Sequence, residues 1–132
     1  MTSRSLSAAL LCAACCMSGG AQAQMPPEGG TPPAVAAKLA LRGEPYGIAV
    51  REMRVVRRND VLVVQADIVN ADRRDRAVFH RFRWLDANGN PVGDGESWKQ
   101  LGVPGLGQQT VKSVAPSGAA TDFRLEMNVE PR

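Results

Sequence analysis

A chain of 132 residues has room for one domain, and its 44% apolar and 5% aromatic residues are ordinary for a globular fold with an aliphatic core. Its 16 basic and 13 acidic side chains give a formal net charge of +3, which is too mild for a nucleic-acid-binding protein. These numbers exclude a second domain, disorder throughout the chain and nucleic acid as the partner.

The N-terminal segment, residues 1–23, has the three parts of a secretory signal. Arg4 lies in a short leading region, an apolar run covers residues 6–17, and the small-x-small sequence Ala-Gln-Ala closes the segment at residues 21–23. The apolar run is shorter than the roughly 20 residues that a membrane-spanning helix needs. The pattern predicts export with cleavage after Ala23 and without a transmembrane anchor.

All three cysteines lie in this leader, so cleavage after Ala23 leaves a mature chain that forms no disulfide. A second route stays open, in which Cys15 or Cys16 becomes the lipid-modified first residue of a lipoprotein, because small residues precede Cys15. The first route predicts a soluble periplasmic protein. The second predicts one that is anchored to a membrane only through its N-terminal lipid.

The next segment, residues 24–43, is rich in proline and glycine and is predicted to be a linker before a domain at residues 44–130. Residues 24–37 show no apolar periodicity, which predicts an extended, mobile chain. Residues 34–41 fit either a turn or two of helix or an edge strand.

From residue 46 onward apolar and polar residues alternate, with turn residues between the runs. Strands are predicted near residues 48–57, 61–70, 78–86, 92–99, 109–114 and 121–129. Six residues are expected to be buried together: Leu62, Val64, Phe82, Trp84, Phe123 and Leu125. In the last strand the alternating polar residues are expected to face water: Asp122, Arg124, Glu126 and Asn128. The predicted fold is an all-β, immunoglobulin-like β-sandwich of six to seven antiparallel strands.

Residues 59–124 contain an ordered series of short motifs: Asn59-Asp60, Val69-Asn70, Arg81-Phe82, Trp84-Leu85-Asp86, Asn88-Gly89, Trp98 with Leu101, Val114-Ala115-Pro116 and Phe123-Arg124. This stretch, about half of the chain, resembles the YcfL family of bacterial envelope lipoproteins. His80 and Arg83 depart from the family pattern, which usually has Tyr and Glu there. Because the family has no known activity, the resemblance implies a fold and a compartment, favours lipidation, and brings no catalytic residue.

The sequence marks no catalytic residue and no metal ligand set. His80, the single histidine, lies on an inward face and is expected to be a core imidazole with its hydrogen bonds satisfied. Without a mature cysteine, zinc and redox metals lack ligands. Residues 86–97 place oxygens as a calcium loop does, but Pro91 stands where the loop needs glycine, and a hairpin turn on Asn88-Gly89 is predicted instead. We expect no enzyme activity and no cofactor.

Two surface features can be interpreted either as structural or as functional. The charged loop at residues 72–76 is expected to be a self-paired turn, and the alternative is a receptor for an anion of an envelope polymer. Trp98, with Leu101 three residues on, is expected to anchor the core or its rim, and the alternative is a stacking platform for a sugar.

A candidate binding surface follows from pairing residues 61–70 and 78–86 as an antiparallel hairpin with Asp67 opposite Arg81. Its outer face then joins Val61, Val63 and Val69 to four candidate binding residues: Phe79, Arg81, Arg83 and Leu85. Such an apolar patch indicates either a partner or a cover. The cover available in the chain is residues 34–41.

The sequence therefore predicts a non-catalytic interaction module of the periplasm. The expected partner is another envelope protein, and a cell-wall polymer is the second choice. The alternative functions are carbohydrate or anion binding and hydrolysis, but a glycosidase needs two carboxylates flanking one cleft, and no such pair is marked.

Overall fold

The computed structural model describes residues 30–131 of the chain. The predicted signal at residues 1–23, the lipidation candidates Cys15 and Cys16, and the first part of the predicted linker lie outside the described residues. The described part consists of one short helix and seven strands: α1 (Pro33–Ala36), β1 (Leu39–Arg42), β2 (Ile48–Arg58), β3 (Val61–Asn70), β4 (Arg76–Leu85), β5 (Lys99–Val103), β6 (Gln108–Val114) and β7 (Asp122–Val129). None of its helices is long and apolar enough to cross a membrane.

The strands form two sheets, one with the order β1-β7-β4-β5 and the other with the order β2-β3-β6. Neighbouring strands are antiparallel, except that β1 runs parallel to β7. The all-β sandwich is confirmed. The expectation of purely antiparallel pairing is wrong at this one edge.

The strand order places the fold among immunoglobulin-like sandwiches. The order β2-β3-β6 matches strands A-B-E of such a domain, and β7-β4-β5 matches strands F-C-C′. The edge beside β7, where strand G of an immunoglobulin domain lies, is occupied by β1 from the other end of the chain. The pairing at this edge is parallel.

The core lies between the two sheets and is aliphatic, with three aromatic rings at one end. Phe82 and Trp84 on β4 stack at 5.8 Å between ring centroids, and Phe123 on β7 lies about 6 Å from both. All six residues predicted to be buried together belong to this core. Alternation puts every second residue of β3, β4 and β7 into the core and its neighbours on the outer faces.

The predicted hairpin of residues 61–70 with 78–86 is wrong, because β3 and β4 lie in different sheets. β3 pairs with β2 and β6, whereas β4 pairs with β5 and β7. The segment between them crosses from one sheet to the other. The two strands therefore bury their apolar faces against each other across the sandwich, and the same alternation in the sequence fits that arrangement as well as a hairpin.

The strand predicted at residues 92–99 is also wrong. Its segment makes one isolated bridge, between Leu85 and Pro91, and β5 begins only at Lys99. Gly93 and Gly95 have positive φ values of 77° and 82°, which a regular strand does not allow.

Residues 34–41 contain both structures that the sequence left open, the short helix α1 and then the edge strand β1. Because β1 is hydrogen-bonded to β7, the folded domain begins before the predicted boundary at residue 44. Val35 and Leu39 are partly buried and pack against the core.

Candidate functional site: the arginine face

The outer surface of the sheet β1-β7-β4-β5 carries the candidate site, which we call the arginine face. It contains the four candidate binding residues of β4, Phe79, Arg81, Arg83 and Leu85, because their neighbours on the strand point into the core. Their cross-strand partners are residues of β7, and not of β3 as predicted: Asn128, Glu126, Arg124 and Asp122.

At the centre of the arginine face lies Glu126, a carboxylate that is only 2% exposed. Its Oε2 atom accepts a hydrogen bond from Nε of Arg81 at 2.9 Å and from Nη2 of Arg42 at 3.4 Å. Nε of Arg83 lies 3.3 Å from its Oε1 atom. The expectation that Glu126 faces water is wrong, because the three arginines cover it on the outer side of the sheet.

The pairing of Glu126 leaves hydrogen-bond donors unused. Arg42 and Arg81 each donate one hydrogen bond to the carboxylate, and Arg83 forms an ion pair with it through Nε. Among the hydrogen bonds within residues 30–131, none uses the Nη atoms of Arg81 or Arg83. The opposite sheet offers a contrast, since Arg54 binds Asp67 through both Nη atoms at 2.9 and 3.0 Å. Both Nη atoms of Arg54 are thus used by Asp67, whereas those of Arg81 and Arg83 remain available to a ligand.

Trp98 lies at the edge of the arginine face, directly before β5, with 37% of its surface exposed. The guanidinium carbon of Arg81 is 4.5 Å from its ring centroid, and that of Arg42 is 5.7 Å away. Both distances are typical of cation–π contacts. A depression of about 380 Å³ is lined by Trp98 together with Arg42, Phe79 and Asn128. Trp98 belongs neither to the core nor to the residues packed against it, so the expectation of a core or rim anchor is wrong. Its ring lies against arginines on the outer face and lines an open depression, and the sugar-stacking alternative stays a prediction.

A second ion-pair group borders the cluster at the start of β7. Asp122 lies 2.7 Å from Nζ of Lys38 and 3.0 Å from Nη1 of Arg124. Burial acts to raise the pKa of Asp122, but hydrogen bonds from Lys38, from the backbone N–H of Phe123 and from Arg124 outweigh it and lower the pKa to about 2. Asp122 is thus charged throughout the physiological pH range.

The arginine face has an excess of positive charge. Its basic residues are Lys38, Arg42, Arg81, Arg83 and Arg124, and its acidic residues are Asp122 and Glu126. Five positive and two negative charges leave a net charge of +3. This equals the formal net charge of the whole chain. At the border of the face, Asp94 and Glu96 line a pocket together with Arg81 and Arg83, so two further carboxylates adjoin the arginines.

The proposed cover does not lie over this face. β1 extends the sheet beyond β7, and Phe79 is only partly buried. Val61, Val63 and Val69, expected beside Phe79, belong to the other sheet. Sequence reasoning missed the roles of Glu126 and Arg42. The alternation of β7 would have located Glu126 opposite Arg81 had β7 been paired with β4.

The remaining candidates take structural positions. His80 is 7% exposed, as expected for a core residue. Within the part of the chain that the structure describes, its Nδ1 atom has no hydrogen-bond partner, so the expectation of a satisfied imidazole is wrong there. Asp86 accepts hydrogen bonds from the backbone of Asn88 and Asn90, as a turn requires. Asp72 pairs with Arg76 within its loop, as expected. Residues 30–131 contain no group of three His, Cys, Asp or Glu side chains that could hold a metal ion.

Two solved structures resemble this domain. Campylobacter jejuni cj0090 matches with a TM-score of 0.60 and 20% sequence identity, covering 70% of this chain and 98% of its own. A DUF1425 family member from Shewanella sp. pv-4 matches with a TM-score of 0.54 and 27% identity, covering 64% of this chain and 78% of its own. The first likeness concerns the fold alone. No curated protein matches the chain.

The family comparison covers the whole sandwich. The model of the family described as "Protein of unknown function (DUF1425)" matches residues 35–129, which run from α1 to the last residue of β7. The match begins before residue 44, in agreement with the place of β1 in the sheet. Since it spans well over half of the sequence, the chain belongs to the DUF1425 family.

Proposed function

We propose that this protein is a non-catalytic binding module of the bacterial envelope that binds another envelope protein through its arginine face. One observation carries the proposal: three arginines converge on one buried carboxylate and leave donors and an exposed tryptophan at the surface. Arginine and tryptophan are enriched among the residues that dominate protein interfaces.

The N-terminal segment supports a proposed compartment. The pattern of residues 1–23 is that of an export signal, and the resemblance to the YcfL family adds a lipoprotein route through Cys15 or Cys16. We propose a periplasmic location, either soluble or attached to a membrane by an N-terminal lipid.

The chemistry of the arginine face favours binding over catalysis. An arginine side chain keeps its proton at every physiological pH and does not exchange it as a general acid or base does. The one carboxylate of the cluster, Glu126, is enclosed by three cations. Such a set of groups recognises an anion but lacks a proton donor and acceptor for turnover.

A protein is favoured over a polymer because charge and apolar surface adjoin on this face. Phe79 and Leu85 flank the two arginines of β4, and Trp98 adds a ring next to Phe79. An interface between proteins typically combines such apolar anchors with charged groups at the rim.

The proposal is tested by photocrosslinking in cells. A photoreactive amino acid replaces Arg83 on the arginine face or, as the matched control, the exposed Lys112 on the outer face of the opposite sheet. We expect one discrete adduct from position 83 and none from position 112. Adding Arg81→Glu should abolish that adduct, whereas Arg58→Glu, the same charge change at an exposed site on β2, should leave it.

Equal labelling at both positions, or an adduct that survives Arg81→Glu, would contradict the proposed surface. Turnover by the purified domain in a broad hydrolase screen, lost on substitution of Asp86 and Asp94, would contradict the absence of catalysis.

A further inference from the structure

The cluster around Glu126 is unbalanced in charge. One carboxylate contacts three guanidinium groups. Asp94 and Glu96 line a pocket together with Arg81 and Arg83, and Glu96 is paired with Lys99, so four positive and three negative groups leave a local charge of +1. The side chains of Arg42 and Arg83 are 61% and 51% exposed, and that of Arg81 is 30% exposed. An anion arriving from solvent can reach all three.

The unused donors have a defined shape. Arg81 donates through Nε to Glu126, and Nε is also the atom of Arg83 that is nearest to Glu126, so the two Nη atoms of each guanidinium are left for a second acceptor. Two parallel N–H groups fit the two oxygens of a carboxylate, as Arg54 and Asp67 show within this chain. The open forks therefore match a carboxylate.

Arg81 is held in place before any ligand arrives. Glu126 fixes one side of its guanidinium at 2.9 Å, and the ring of Trp98 lies against it at 4.5 Å. A side chain that is already ordered loses less conformational entropy on binding. Glu126 is thus a positioning residue for the receptor.

An apolar wall adjoins Arg42, and Trp98 of that wall also lies against Arg81. The depression of about 380 Å³ between Trp98 and Phe79 opens beside Arg42. A ligand that combines an anion with an apolar group one or two residues away would use both parts.

From these four observations we propose that Arg42, Arg81, Arg83 and Trp98 form a receptor for a glutamate or aspartate side chain of a protein partner, whose neighbouring apolar side chain enters the depression at Phe79. This receptor rests on the proposed function and names the chemistry that the arginine face recognises.

The test follows the two tryptophan indole N–H signals by NMR. Trp98 lines the receptor, whereas the indole N–H of Trp84 is committed to Glu96 at 3.0 Å and serves as an internal reference. The probe is an N-acetylated, C-amidated peptide with two glutamates flanking a phenylalanine, and its control has glutamines in their place. We expect the glutamate peptide to shift the Trp98 signal in a saturable way, the Trp84 signal to stay, and the glutamine peptide to shift neither.

A second experiment measures the affinity of the glutamate peptide for variants of the protein. Arg81→Gln should weaken binding of the glutamate peptide about tenfold, the size expected for loss of one charge-assisted fork. Arg81→Lys keeps the charge but loses the fork and should also weaken it. Arg58→Gln, on β2, should leave the affinity unchanged. Thermal melting checks that each variant is folded, and Arg81→Lys replaces Arg81→Gln if the latter unfolds.

Several results would overturn the receptor. These are equal binding of the glutamine peptide, full affinity in Arg81→Lys, and a stronger response of Trp98 to inorganic phosphate than to the peptide at equal concentration. If the glutamate peptide does not shift the Trp98 signal but the adduct from position 83 is still formed, the carboxylate receptor is contradicted and the proposed function is not.

Discussion

At the scale of single residues, His80 is a buried polar group whose imidazole is not fully hydrogen-bonded by the described residues. It lies on the inward face of β4, and its Nδ1 atom is buried without a hydrogen-bond partner among residues 30–131. Burial lowers its pKa, Lys99 lowers it further, and Glu96 acts in the opposite direction. The folded protein therefore holds a neutral imidazole.

This state predicts how stability depends on pH. The unfolded chain binds a proton at His80 below a pH of about 6.5, while the folded chain does so only at lower pH. Stability should thus fall as the pH drops from about 6.5 towards the lowered pKa. His80→Leu should remove this part of the pH dependence. It should also raise the free energy of unfolding at pH 7 by about 1 kcal/mol, because it removes a buried group without a partner.

Urea unfolding of both proteins at pH 7 and pH 5 measures the effect. A His80→Leu variant that is less stable than the parent at pH 7 would show that the imidazole makes a favourable interaction in the core.

At the scale of elements, Asn70 joins the crossing segment after β3 to the opposite sheet. Its Nδ2 atom donates to the carbonyl oxygens of Arg74, Val103 and Pro104 at 2.8 to 3.2 Å. Its Oδ1 atom accepts from the N–H of Asp72 at 2.9 Å. One buried amide thus links the end of β3, the crossing segment and the end of β5.

Asn70→Ala should lower the free energy of unfolding by about 2 to 3 kcal/mol, because it leaves buried backbone groups without partners. Ser117→Ala is the matched control. The side-chain oxygen of Ser117 also caps a loop, because it accepts a hydrogen bond from the N–H of Ala119 at 3.3 Å. This site is exposed, so the substitution should cost less than about 0.5 kcal/mol. Equal losses in chemical denaturation would show that the amide of Asn70 does not bridge these elements.

Gly105, where the crossing segment meets the connection after β5, has no room for a side chain. A Cβ atom on Gly105 would lie 2.0 Å from the carbonyl oxygen of Arg73, so no larger residue fits without a shift of the backbone. The N–H of Gly105 donates to Asp75 at 2.8 Å. The crossing segment and the connection between β5 and β6 therefore meet backbone to backbone.

At the scale of the whole molecule, Trp84 connects the two sheets. Its ring is in the aromatic end of the core, and its Nε1–H donates to Glu96, whose Oε2 atom also accepts from Ser113 of β6 at 2.7 Å. Trp84→Ala should cost about 3 to 5 kcal/mol. Because a domain of this size has a total stability of about 5 to 15 kcal/mol, the variant is expected to be close to unfolding.

Thermal melting followed by circular dichroism measures this loss. Trp98→Ala is the control, since the same residue type there is 37% exposed, and it should melt within a few degrees of the parent. Unchanged melting of Trp84→Ala would contradict the two-sheet core.

The sequence was sufficient to predict which face of each strand is buried, but not which strands pair with each other. The alternation in β3, β4 and β7 identified the core correctly, because burial of one face is a local property of each strand. Whether β3 pairs with β4 or faces it across the core depends on the path of residues 71–75, which the alternation does not encode. The same limit hid Glu126, because its three arginines come from two other strands.

The burial of Glu126 also determines the order in which substitutions in the arginine face can be tolerated as sequences diverge. Replacing one arginine leaves the carboxylate with two cations, whereas replacing Glu126 first leaves three mutually repelling cations without their shared counter-ion. The effects of such substitutions are therefore not additive. Lineages that lose the cluster should lose its arginines before its glutamate, and a neutral residue at position 126 should be found only where position 42, 81 or 83 has already lost its charge.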